Sequence, residues 1–271
     1  MGIRRHTELD KWTSTIKVGW SNHLAYRLNF VLQILGPAIV FFFIKYNLWC
    51  SVYANDPHQN IQGYSLSSML EYQVFVLVIS LLGQGSNSMN LAEDIRMGRI
   101  SAYLVYPFDF WKFHFASFLG FQGLQLLITT LTLGLVLALG FITSFNPVNL
   151  SQGLFLTILV GFYWFGLQYL IGLLAFWLEE TWILRVILLH VAQFLSGAII
   201  PLELYPDVLR KILYYTPFPY LTFVPTKIFM GQSQIATGEA ALVLVLWSLP
   251  LVWLCNWVWK RGLRLYTAAG M

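Results

Sequence analysis

Long apolar runs separated by short polar stretches organise this chain. An α-helix needs about 20 mostly apolar residues to cross a bilayer, and six runs reach that length. They predict spans over about 24–46, 68–89, 113–142 and 150–177, a fifth that ends near Ile200, and a sixth over 239–259. Between 114 and 179 no acidic or basic residue occurs, so one helix cannot hold the whole run; Thr143, Ser144, Asn146, Pro147 and Asn149 supply the turn chemistry that divides it. Glu179, Glu180 and Arg185 form the charged turn before the fifth span. Pro37 is placed to kink the first.

One polar island stands out. Residues 90–112 collect Glu93, Asp94, Arg96, Arg99, Asp109 and Lys112 between the second and third spans. Asn90 and Glu93 have the spacing of a capping box, which predicts a surface helix from near Leu91 to Gly98 and a second segment closed before Pro107. Ser68 and Glu71 repeat that spacing at the outer end of span two, so Glu71 is expected as a helix cap, with a substrate-binding carboxylate the other reading.

The two flanking patterns differ. At the N-terminus, Leu9, Trp12, Ile16 and Trp20 recur at helical spacing opposite Asp10, Lys11, Thr13, Ser14 and Lys17, which predicts a helix lying in the membrane interface over residues 1–23. No apolar core or cleavage site of a signal peptide is present there, so this segment is expected to be retained. In residues 201–237 the prolines Pro201, Pro206, Pro217, Pro219 and Pro225 forbid a continuous helix and predict short re-entrant or surface helices.

Composition agrees with a membrane protein. Charged residues make up 10% of the chain and apolar ones 58%, against roughly 25% charged in soluble domains. The net charge of +4 comes from single basic residues at the ends of apolar runs, which suits membrane topology and excludes a nucleic-acid surface. With both termini inside, twelve of the sixteen basic residues face the cytoplasm, and Lys45, Arg210, Lys211 and Lys227 lie outside. The tail 260–271 then anchors through Lys260, Arg261 and Arg264.

Chemical motifs are few. Cys50 and Cys255 are expected near opposite faces, which argues against a disulfide, and His6, His23, His58, His114 and His190 lack metal-ligand spacing. No phosphate-binding G-x-x-x-x-G-K-[ST] loop occurs, so ATP hydrolysis by that route would need another polypeptide. His190 lies mid-span, either in a structural hydrogen bond or at a substrate. Gln73, Gln84, Asn87, Gln122, Gln125, Gln168, Gln193 and Ser196 dot the spans, as interhelical hydrogen bonders or as the lining of a path for an amphipathic molecule. Gly83, Gly85, Gly161, Gly166 and Gly172 would let helices approach closely. No buried charge pair suggests an ion relay, so the energy source is expected outside the membrane domain.

Three segments resemble the membrane subunit of type-2 ABC transporters, in the subgroup of stand-alone six-span permeases. They are the 95–111 stretch with Gly98, Leu104 and Pro107, the segment with Gly197, Pro201, Leu202, Pro206, Pro217, Tyr220 and Pro225, and the amphipathic start leading into residues 24–30. The resemblance implies an all-α fold of six spans with an N-terminal elbow helix and a cytoplasmic coupling helix. Re-entrant helices close the outer end, though Arg210 and Lys211 make that cap more basic than the family suggests. It implies Leu91, Glu93, Asp94, Arg96, Gly98, Arg99 and Tyr103 as the ATPase-coupling residues. Implied partners are two ATPase subunits carrying ATP and Mg2+, a second permease identical or sibling, and membrane lipids, with spans two and five at the dimer interface. The chain itself is then no enzyme, and it exports a lipid, lipid-linked sugar, glycan or drug from the bacterial inner membrane by alternating access. An ATP-independent transporter or channel is the alternative.

Overall fold

The computed structural model describes residues 7–25, 27–54, 56, 59–83, 88–105, 108–140, 142 and 146–266. Among them every regular element is helical. The first three long helices are α1 (Glu8–Ala25), α2 (Arg27–Val52) and α3 (Leu66–Gly83). Two short helices, α4 (Ser88–Arg96) and α5 (Ile100–Val105), lead into α6 (Phe110–Ala138) and α7 (Pro147–Leu173), which is extended by a 3-10 turn at Leu174–Phe176. The chain continues through α8 (Trp182–Leu195), the short helices α9 (Asp207–Leu213), α10 (Phe218–Leu221) and α11 (Phe223–Phe229), and ends in α12 (Thr237–Leu265).

Among the described residues four stretches are long and apolar enough to cross a membrane: Leu35–Val52, Phe110–Ala138, Pro147–Phe176 and Thr237–Leu265. Leu66–Leu81 and Trp182–Leu195 are apolar but shorter. At 14 residues α8 is about 21 Å long, below the roughly 30 Å of a hydrocarbon core. It stops because Gly197 takes a left-handed φ of 79° and the Ala198 amide returns to the Gln193 carbonyl. The fifth predicted span is therefore a short helix followed by a turn. Pro37 does not interrupt α2.

Sequence and structure differ at two helix starts. Ser65, not Ser68, caps α3, its hydroxyl accepting the Ser68 amide at 3.3 Å. Glu71 sits inside the helix and is buried, so it is not a surface cap. Asn90 lies inside the helix that carries the polar island, described over Ser88–Arg96, rather than at its cap. In contrast, Asn146 does cap α7 through the Val148 amide at 2.9 Å with Pro147 following, as the turn chemistry predicts; Thr143 and Ser144 lie outside the described residues.

Helix α7 is the central pillar, touching α3, α4, α11 and α12. Its contact with α12 is tight: a Cβ on Gly166 would lie 2.8 Å from Leu251, and one on Gly262 of α12 would overlap the Phe176 ring. Helix α1 does not stand alone at a surface. It packs along α6, with Trp12 edge-on to Phe115 at 6.0 Å and Trp20 Nε1 donating to the Gly120 carbonyl at 2.6 Å. Leu9 points away and is exposed.

Polar atoms collect at two poles. One pole holds α4, α5, the start of α6 and the ends of α7 and α12. The other holds the end of α2, the start of α3 and α9 to α11. At this second pole Lys227 pairs with Glu203 at 3.0 Å, its ammonium 4.5 Å above the Tyr64 ring, while the Tyr64 hydroxyl donates to Glu203 at 3.1 Å. Burial, and then the negative Glu203, push the Tyr64 hydroxyl pKa up. Arg210 pairs with Asp207 at 2.6 Å. Two of the cations in the proline-rich segment are thus balanced by its own carboxylates.

Candidate functional site

The polar island folds as a helix, a left-handed turn and a second helix. Leu91, Ala92 and Ile95 form the apolar face of α4 and are buried against the end of α7 and its 3-10 extension. The helix ends in a Schellman motif: the Arg99 amide donates to the Asp94 carbonyl at 2.9 Å and the Gly98 amide to the Ile95 carbonyl at 3.2 Å. That closure needs a residue with positive φ, and Gly98 has 71°. Ile100, fully buried, starts α5 on the far side of the turn.

Three fasteners hold the turn to the body. The first is Asp94, whose side chain is buried and accepts from Arg99 at 3.0 Å and from the Tyr103 hydroxyl at 3.2 Å, with His114 Nε2 3.5 Å away. Arg99 also donates to Glu93 at 3.1 Å. Its hydrogen bond to Asp94 raises the guanidinium pKa, and burial, reinforced by the Asp94 carboxylate, raises that of Tyr103. The second is Arg96, which donates to the Glu179 carbonyl at 2.7 Å and lies 3.6 Å from Glu180, just ahead of α8. The third is Tyr266 at the end of α12, whose hydroxyl donates to the Gly98 carbonyl at 2.7 Å and lies 3.0 Å from the Ser101 hydroxyl.

The seven island residues picked out by sequence therefore divide. Leu91 and Asp94 face inward and position the element, and half-buried Tyr103 joins them. Arg96 and Arg99 are exposed and Glu93 is half-buried. Sequence reasoning missed Met97 and Val105, which are 62% and 85% exposed at this otherwise polar pole, and it missed His114 and Tyr266 as supports. For Met97 the available signal was an apolar residue between Arg96 and Arg99; nothing local marks Val105, which follows Leu104. Nothing local marks a tyrosine 168 positions from its acceptor.

The residues proposed for a pathway are brought together in part. Gln73 is buried in α3, its Nε2 3.4 Å from the Ile199 carbonyl, and the neighbouring Tyr72 hydroxyl donates to the Gly197 carbonyl at 2.7 Å. Ser196 is buried in the same turn, where its carbonyl accepts the Phe223 amide at 3.0 Å, and Gln193 is half-buried just before it. These groups knit α3 to the turn after α8 rather than line an open channel. Gln84 and Asn87 lie outside the described residues. His190 is exposed on α8, its Nδ1 2.8 Å from the Val186 carbonyl one turn back, so it makes a local hydrogen bond. Of the proline-rich segment's residues, Pro201 and Pro206 precede the short helices, Pro217 precedes α10, and Tyr220 and Pro225 are buried in α10 and α11.

Met69 to Ile79 of α3 are mostly buried within this chain, with Leu70 and Leu77 half-buried, while the side chains of 82–89, the rest of the expected second span, lie outside the described residues. Exposed apolar faces are carried by α2, with Phe41, Ile44 and Leu48, by α6, with Leu127, Leu131 and Leu135, by α8, with Ile183, Ile187, Val191 and Phe194, and by α12, with Leu249, Val252 and Trp253.

A helical body with apolar flanks, polar atoms gathered at two ends and a fastened helical turn at one of them defines a membrane-embedded protein. Residues 38–270 match the family described as "ABC-2 family transporter protein", and the chain belongs to that family. It is a membrane component of a transporter. The match leaves out α1 and the first part of α2. No curated protein matches the chain at a significant level.

Proposed function

We propose that this chain is the permease subunit of an ATP-driven exporter and that a separate ATPase docks on the α4–Gly98–α5 turn. The observation that carries the reading is the exposure of Met97, flanked by Arg96 and Arg99, and of Val105 at the end of α5, on an element tied to three parts of the body. An apolar anchor with a charged rim on a rigid support is what a protein partner grips. In this reading all six apolar helices cross the bacterial inner membrane, α3 and α8 with help from their flanking turns, and both termini and the turn face the cytoplasm.

ATP and Mg2+ belong to the two ATPase subunits. Their closure on ATP pushes the turn, Arg96 passes the motion to the start of α8 and Tyr266 passes it to α12. Reversing a 1:99 equilibrium between inward and outward states takes about 5.5 kcal/mol, which two bound nucleotides can supply. The exposed faces of α2 and α8 receive a second permease, and an amphipathic cargo such as a lipid, glycan or drug leaves between the two.

The test is co-purification with the ATPase encoded beside this chain. Met97→Asp and Val105→Asp are expected to abolish the complex while the permease still elutes as one species. A complex that survives both changes contradicts the assignment. Cargo flux through the purified chain in liposomes, without any ATPase, would instead support an ATP-independent transporter.

A further inference from the structure

The last turns of α12 carry cations that no carboxylate among the described residues balances. Arg261 and Arg264 lie three residues apart on one helix face, both exposed. All twelve aspartate and glutamate side chains fall among the described residues, and none forms an ion pair with either arginine. Glu180, the acidic residue of the adjoining turn, is engaged by Arg96. Elsewhere at this pole Arg96, Arg99 and Lys112 each meet a carboxylate within 3.6 Å.

The two guanidinium groups also line a hollow. A cavity of about 490 Å³ opens between the end of α7 and α12, walled by Leu174, Trp177, Trp257 and Leu265 together with the arginines. That volume lies in the roughly 300–1,000 Å³ range of small-molecule sites. Arg261 stacks over the Trp257 ring at 4.7 Å, which fixes its plane. Trp177 and Trp257 are half exposed, as tryptophans are at the level of lipid headgroups. Leu174 and the exposed Leu265 add apolar surface to the lining.

We infer that this hollow is a binding site for an anionic phospholipid, its phosphate held by Arg261 and Arg264 and its glycerol and upper acyl chain lying against Trp177, Trp257 and Leu174. A guanidinium matches phosphate geometry with paired donors, and a basic pocket between helices at the cytoplasmic face suits an anionic headgroup. The tryptophan and leucine lining favours a lipid over a free anion, which would leave the apolar part of the cavity unused. It also favours a lipid over an acidic protein surface, which would have to reach down to headgroup depth. The site requires only that the chain be membrane-embedded and does not depend on the docking of an ATPase.

The test uses the full chain in detergent micelles supplied with equal amounts of phosphatidylglycerol and phosphatidylcholine, with bound lipid read by native mass spectrometry. The unaltered chain is expected to retain phosphatidylglycerol preferentially. The double variant Arg261→Gln/Arg264→Gln should lose that preference by about tenfold or more, and each single arginine variant should weaken it, whereas Lys260→Gln, which removes one charge just outside the hollow, should keep it. No preference in the unaltered chain, or an equal preference in the double variant, overturns the site. So does displacement of the lipid by millimolar inorganic phosphate, which would mark a free-anion site. If the double variant loses the co-purifying ATPase while its lipid profile stays the same, the arginines serve the protein partner and the inference fails.

Discussion

Asp94 shows how one residue can be mistaken for a contact when it is a support. In sequence it is one more charge in a polar island; in the structure its carboxylate is buried and takes hydrogen bonds from Arg99 and Tyr103. Removing it leaves a buried tyrosine hydroxyl without its acceptor, a loss of about 1–3 kcal/mol. Asp94→Ala is therefore expected to lower the thermal midpoint of the purified permease and to weaken ATPase binding indirectly. Arg96→Ala, at an exposed site, should leave the midpoint nearly unchanged. Gly98 is constrained differently. Its φ of 71° costs an L residue roughly 1–2 kcal/mol, so Gly98→Ala should destabilise the turn measurably, and Gly98→Asn should do so less. Equal midpoints for the Ala and Asn variants would contradict the left-handed closure.

Helices were legible where apolar length or a cap announced them, and less so where tertiary contacts set the limits. Asn146 and Pro147 mark the start of α7 because their effect is local. The start of α3 was misplaced by three residues because Ser65 and Ser68 offer the same hydroxyl, and only the fold chooses between them. The short α8 reads as a full span by composition alone, since Ile199 and Ile200 continue the apolar run beyond a helix that Gly197 has already ended. The burial of α3 was invisible for a related reason: lipid-facing and core-facing helices are equally oily, and sequence hydropathy does not distinguish them. Close packing gives a prediction at this scale. Gly262→Leu would drive a side chain into Phe176 and separate α12 from the end of α7, at a cost of about 1–3 kcal/mol. Its effect on ATP-stimulated transport should exceed its effect on ATPase binding, because α12 supports the turn through Tyr266 without forming the exposed surface.

For the molecule as a whole, the two poles divide the work. At the outer pole in the proposed orientation, Lys227, Glu203 and Tyr64 close a network, and Lys45 donates to the Ala198 carbonyl at 2.6 Å, tying α2 to the turn after α8. At the inner pole, three separate parts of the chain converge on one exposed turn. Lys45→Met is expected to loosen the junction of α2 and α8 and to raise ATP-independent leak of cargo, read as efflux from loaded vesicles. An unchanged leak would mean that this bond plays no part in closing the outer end.

The claim on which the functional account turns is that Met97 touches a nucleotide-hydrolysing subunit, and a photo-crosslinking amino acid placed at that position in living cells tests it most directly. The account predicts an adduct of the mass of the permease plus its ATPase from position 97, and none from position 208 at the opposite pole. An adduct from 208 but not from 97, or labelling of position 97 by a reagent confined to the cell exterior, would contradict it.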